Sequence, residues 1–191
     1  MTATRPSAAY GEKNAIATSC ATPRPCTLIG KEAVAYQLVN QTGFPSWAHM
    51  LEGGRTTLSE FWDLKGSHNH VMMGSIDAWF YRTLAGIQSD ESQPGFAHIV
   101  IKPFIPDSLS FVRASAQTVR GRVAVEWTKK NGSLQLSVTI PVNSTATVYV
   151  PAASAKQVQS TPALKTVRFE KGAAVYEIGS GDYEFRVPSG G

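Results

Sequence analysis

Hydrophobic and polar positions follow two different periods along this chain, and the change from one to the other falls near residues 88–96. Before it the period is helical. In KEAVAYQLVNQ, from Lys31 to Gln41, Val34, Tyr36, Leu38 and Val39 stand at mostly helical spacings. Gly43 supplies a C-terminal stop, and Pro45 keeps the helix from resuming at once. SWAHMLEGG predicts a second short helix that ends at Gly53-Gly54. SIDAWFYRTLAGI predicts a third, with Ser75 as its N-cap and Asp77 in the first turn, where the helix dipole favours an anion. Ile76, Trp79, Phe80, Leu84 and Ile87 form one apolar face of it, and core packing is the expected use of that Trp and Phe.

After the linker QSDESQP the period becomes two, starting with GFAHIVIKP. In GRVAVEWTKKNGSLQLSVTIP, Val123, Val125 and Trp127 alternate with polar or small residues, and Leu134, Leu136, Val138 and Ile140 do the same. The KKNG between the two runs is a hairpin signal, because Asn-Gly accepts the positive φ angles of a tight turn. TATVYVP and DYEFRVP keep the alternation, the latter with Tyr183, Phe185 and Val187 on one face. KTVRFEKGAAVYEIG predicts another hairpin around Lys171-Gly172. Strand after strand with no helix between them implies an antiparallel β-sandwich. The expected organisation is α+β by segment: an irregular stretch over 1–28, a helical part over 29–92 and a sandwich over 93–191.

Composition narrows the function without fixing it. The 191 residues are 42% hydrophobic and 17% charged, ample for a buried core and unlike a disordered chain. No apolar run approaches the roughly 20 residues of a transmembrane helix, so no membrane partner is expected. The net charge of +4 raises nucleic acid as a partner. Its basic residues are scattered, however, and the Lys129-Lys130 pair sits at a hairpin tip, so the patch that phosphate binding needs is missing. Cys20 and Cys26 have a spacing poorly suited to zinc, and both a disulfide and two free thiols fit it. The first residues lack the pattern of a secretory signal, and the compartment stays open.

The chemistry concentrates in TTLSEFWDLKGSHNHVMMGS, from Thr56 to Ser75, a loop between helices. As a metal site it is poor, since His68 and His70 share a face only on an extended strand and lack a third ligand at an obvious spacing. As a purely structural loop, His70 would tie it to the next helix, Asn69 would satisfy backbone groups, and Glu60 would pair with Arg55 or Lys65. As a sugar site, a carboxylate beside amide, imidazole and indole groups suits an array of hydroxyls, with Trp47 or Trp62 covering apolar sugar faces.

The ordered series FPSWAHMLEGG, TTLSEFWD, GSHNHVMMGSIDAWFYRTLAGI, PGFAHIVIKP, VRGRVAVEW and VTIPVNSTATVYVP resembles the C-terminal end of bacterial α-L-rhamnosidases of glycoside hydrolase family 78, from about Lys31 to about Val187. The resemblance implies the last helices of an (α/α)6 catalytic barrel running into a terminal β-sandwich. It also implies an inverting hydrolase of terminal α-L-rhamnose that uses no redox cofactor, and the poor ligand spacing of His68 and His70 gives no expectation of a metal. The family's TT-x-W-E motif places its general base on Glu60, and its S-x-N-H motif places a sugar-contacting His on His70. Asn69 then shapes the loop, Trp47 lies near the substrate cleft, and His68 fills the variable position.

This chain departs from the family in two respects. Ser59 stands where the family usually has Trp, and Arg55 where a small residue is common. In the family the general acid lies on earlier barrel helices, whereas the segment before Lys31 has Glu12 as its only carboxylate. The expectation is therefore a C-terminal fragment with the base half of an active site, inactive alone and partnered by an upstream barrel segment. The alternative from another class is a non-catalytic carbohydrate-binding or structural sandwich module.

Overall fold

A computed structural model describes residues 30–189, so Glu12, Cys20 and Cys26 lie outside the described residues. The chain divides into two compact units between Trp79 and Phe80.

The first unit is built from short helices. Helix α1 spans Glu32–Val39 and buries Ala35. Helix α2 spans Trp47–Met50; Ser46 is extended there and its hydroxyl accepts the His49 N–H at 3.0 Å, so it is the N-cap. A 3-10 turn, Glu52–Gly54, follows, with Gly53 at φ 70°. Helices α3 (Val71–Gly74) and α4 (Ile76–Trp79) bury Met73, Ile76 and Trp79.

The third helix starts earlier than its sequence suggests. Ser75 is helical, at φ −61° and ψ −11°, and its hydroxyl donates to the Met72 carbonyl at 2.6 Å, so it is not an N-cap. The last extended residue is His70, whose carbonyl accepts the N–H groups of Met73 and Gly74. Val71 and Met72 are both exposed, so the turn they occupy carries no apolar period to betray it.

The second unit opens with a π-helical turn, Phe80–Leu84. Gly86, at φ +77°, then turns the chain, and Ile87 lies in a strand rather than on a helix. Ten strands follow: β1 Ile87–Ser89, β2 His98–Ile101, β3 Phe111–Thr118, β4 Gly121–Lys130, β5 Ser133–Ile140, β6 Thr145–Pro151, β7 Gln159–Thr161, β8 Arg168–Glu170, β9 Ala173–Ile178 and β10 Gly181–Val187. They form two five-stranded sheets, ordered β1-β2-β6-β9-β8 and β3-β4-β5-β10-β7. All pairings are antiparallel except β2 with β6, which is parallel.

The expected alternation is what fills the core. Val123, Val125 and Trp127 from β4 and Leu134, Leu136, Val138 and Ile140 from β5 are buried on the inner face of one sheet. Ile99, Ile101, Ala146, Val148, Val150, Ala174 and Tyr176 complete the core from the other. The Tyr176 and Phe185 rings meet across it at 4.9 Å. The β4–β5 hairpin turns through Asn131 at φ 51° and Gly132 at φ 74°, as Asn-Gly requires. The second expected hairpin turns likewise through Lys171 and Gly172, at φ 50° and 76°. Among the described residues no helix is long and apolar enough to cross a membrane.

Candidate functional site

The loop between the 3-10 turn and α3 folds back on itself. The Glu60 N–H donates to the Ser67 carbonyl at 2.7 Å, and the His70 N–H donates to the Leu58 carbonyl at 3.1 Å. Between these rungs, Ser59 Oγ lies 3.3 Å from His68 Nδ1. Ser59 is 1% exposed, so this pair satisfies a buried hydroxyl. The reversal runs through Leu64 and Gly66, both at positive φ (66° and 76°), and Leu64 N–H closes a turn onto the Phe61 carbonyl.

Glu60 sits at the closed end of this clasp and is half-buried. Its Oε2 accepts the Ser67 N–H at 3.1 Å, so Glu60 and Ser67 exchange two hydrogen bonds in opposite directions. The cation pairing that a purely structural loop would use is not formed. Arg55 donates instead to the Glu52 carbonyl at 2.9 Å, and Lys65 lies 3.0 Å from Asp63 Oδ2. The Lys65 contact holds the Asp63 carboxyl below the usual carboxylate range. Both cations take the nearest acceptor along the chain, which leaves Glu60 Oε1 without a hydrogen bond from the described residues.

The remaining expected residues divide into two groups. His70 is half-buried at the start of α3, its backbone bonded on both sides, and its ring makes no capping bond. Asn69 is exposed, and its N–H reaches Ser67 Oγ at 3.4 Å. The His68 ring is exposed beyond its Ser59 contact. Trp47, by contrast, is 9% exposed, donates its indole N–H to the Met73 carbonyl at 3.1 Å, and meets Trp62 edge-on at 5.2 Å. The loop thus gathers Glu60, Ser67, Ser59 and His68, with His70 one backbone rung away, while Trp47 and Trp62 form a supporting wedge.

A shallow depression lined by Phe44, Phe61, Trp62, Asp63 and Lys65 opens on this unit, and Glu60 does not line it. Among the described residues no group of three or more His, Cys, Asp or Glu could hold a metal ion. Sequence reasoning missed Gly66 and Ser67. Gly66 carries the usual signal of a turn, but Ser67 acts through its backbone amide, which residue type does not reveal.

A half-buried carboxylate with one oxygen fixed by a backbone amide and the other open can accept a proton from water or bind a hydroxyl. Residues 16–84 match the family described as the bacterial alpha-L-rhamnosidase six-hairpin glycosidase domain, and residues 86–165 match the bacterial alpha-L-rhamnosidase C-terminal domain. An alpha-L-rhamnosidase of Streptomyces avermitilis is 35% identical over 169 residues, covering 83% of this chain and 16% of that protein. One from an Alteromonas species is 29% identical over 170 residues, covering 83% and 18%.

The crystal structure of the Streptomyces avermitilis enzyme complexed with L-rhamnose superposes with a TM-score of 0.80 over 87% of this chain and 17% of that one, at 35% identity. The alpha-L-rhamnosidase of Dictyoglumus thermophilum superposes with a TM-score of 0.76 at 34% identity, over 86% and 20%. An Aspergillus terreus enzyme shares the fold, with a TM-score of 0.70 at 24% identity, over 85% and 18%. The chain therefore spans about a sixth to a fifth of the length of the relatives it matches.

Proposed function

Because this chain belongs to the bacterial α-L-rhamnosidase family, as a counterpart of its C-terminal part, we propose that it supplies one wall of a rhamnoside-hydrolysing cleft with Glu60 as general base. In this reading Glu60 Oε1 takes a proton from a water that attacks the anomeric carbon. The bond to the aglycone oxygen breaks as the water oxygen bonds on the opposite face, and configuration inverts. An acid on another segment gives the leaving oxygen its proton. His70 contacts the rhamnose ring, Asn69 shapes the loop, and Trp47 braces it from behind.

The observation that supports this reading best is the state of Glu60. Its carboxylate is half-buried, oriented by the Ser67 amide and, among the described residues, unpaired with any cation, so one oxygen stays available as a base. Inversion needs a second carboxyl about 6.5–9.5 Å away, with room for water between. The family resemblance puts that acid on earlier barrel helices. The chain alone accordingly turns over little or no rhamnoside.

The test is hydrolysis of 4-nitrophenyl α-L-rhamnoside by the purified chain, alone and mixed with the upstream barrel of the Streptomyces avermitilis relative. The expected result is negligible turnover alone, recovery on mixing, and a fall of about 10²–10⁴-fold on mixing with Glu60→Gln. Robust turnover by the chain alone, or recovery that Glu60→Gln leaves unchanged, would overturn it. A second reading, a carbohydrate-binding sandwich module, has one observation in its favour, since the sandwich is a compact unit by itself. L-rhamnose binding that survives Glu60→Gln and His70→Ala together, and maps to residues 87–187, would support it.

A further inference from the structure

Glu60 is aimed by a glycine as much as by a hydrogen bond. Gly66 lies directly over its carboxylate: a Cβ added there would stand 2.8 Å from Glu60 Oε2 and 3.0 Å from the Phe61 ring carbons Cδ2 and Cε2. Real Cβ atoms do not approach so closely. The turn also holds Gly66 at φ +76°, which brings the next amide, Ser67 N–H, to within 3.1 Å of the same Oε2. The Glu60 N–H returns to the Ser67 carbonyl at 2.7 Å, so the backbone of the acid and the group that orients it are fixed to each other.

We propose that Gly66 and Ser67 form a seat for the Glu60 carboxylate, with Gly66 as a positioning residue for the base. The inference rests on Glu60 being the base, but the seat itself is a separate claim. Two properties of glycine are used. Its φ is open only to Gly at no cost and to Asn at little cost. Its missing Cβ leaves the carboxylate its place. A side chain at position 66 meets the far end of the flexible Glu60 and the ring of Phe61 rather than backbone, and the closest of these clashes is relieved by rotation of the carboxylate out of the seat. The loop stays folded, and Oε1 no longer faces where Ser67 aims it. Asn separates the two properties, because it tolerates positive φ but carries a Cβ.

The test follows the Ser67 amide of the isotopically labelled full chain by NMR through a pH titration, with the Glu60 carboxyl carbon as reference. An amide bonded to a carboxylate shifts as that carboxylate protonates. The expected result is a Ser67 amide that tracks the Glu60 titration in the native chain, and loss of this coupling in Glu60→Gln, Gly66→Ala and Gly66→Asn. Amides outside residues 58–70 keep their positions in Gly66→Asn. A Gly66→Asn chain that keeps the full Ser67 response, or a native chain in which Ser67 ignores Glu60, overturns the seat. If the seat is found but Glu60→Gln leaves recovered hydrolysis intact, Glu60 is seated and is not the base, so the functional reading fails alone.

Discussion

The indole N–H of Trp127 donates to the carbonyl oxygen of Leu84 across 2.7 Å, joining the centre of β4 to the end of the π-helical turn. Trp127 is fully buried, so the bond forms where water cannot replace it. Trp127→Phe keeps most of the ring and strands that carbonyl. It should cost about 1–3 kcal/mol, read as a lower urea midpoint with an unchanged slope. Trp127→Ala should cost about 3–5 kcal/mol.

Gly86 turns the chain from this π-helical turn into β1 against the backbone of β2's exit. A Cβ there would stand 2.2 Å from Pro103 N and 2.3 Å from the Lys102 carbonyl carbon. No side-chain rotation relieves a clash with main chain. Gly86→Ala should therefore cost about 3 kcal/mol or more, combining left-handed strain with overpacking. Gly172 provides the control, with φ +76° and nothing within 4 Å of its added Cβ. Its Ala variant should lose only the backbone contribution of about 1–2 kcal/mol.

Arg113 and Glu126 face each other across β3 and β4 and form a two-bond fork, Nε to Oε2 and Nη2 to Oε1, both at 2.8 Å. The guanidinium holds the Glu126 carboxyl below its ordinary value. A carboxyl depressed on folding stabilises the fold above its unfolded pKa, about 4.3, and that contribution disappears as pH falls through the lower folded value. Both side chains are well exposed, so the effect is small and screened by salt. The loss in urea midpoint between neutral pH and about pH 3 should be smaller in Glu126→Gln than in the native chain. An equal loss in both would show that the fork adds nothing.

The two units should differ in resistance to protease. The sandwich has a continuous core, whereas among the described residues the helical unit buries only Ala35, Trp47, Met50, Met73, Ile76 and Trp79 as apolar side chains. Brief digestion should cut within residues 30–79 before residues 87–187, as mass spectrometry of the fragments would report. Trp47→Phe, which removes the bond to the Met73 carbonyl, should quicken the first cuts and leave the second set unchanged.

The sandwich was legible because its signal is local. Val123, Val125 and Trp127 on one face, and Asn131-Gly132 at the turn, require no knowledge of distant residues. The parallel pairing of His98–Ile101 with Thr145–Val148 joins segments with three strands between them in sequence, and no local period encodes it. The helical unit was read less well for the opposite reason. Its helices are four or eight residues long, too short for a 3.6-residue period to fix their ends, and Ser75 was misassigned. At the site, Glu60 and His70 stood out by residue type. The partner that orients Glu60 is a backbone amide, which every residue but proline carries, so composition could not single out Ser67.

The order of strands has a consequence during synthesis. β10, the last strand, is not at an edge: it lies between β5 and β7, pairing with β5 over seven residues from Gly181 to Val187. β5 and β7 precede β10 in the chain, so until that segment emerges they have nothing to join them, and the open edge of β5 invites a neighbouring chain. The sheet closes only once Gly181–Val187 has docked between them. Nascent chains caught before that step are where mispairing would begin.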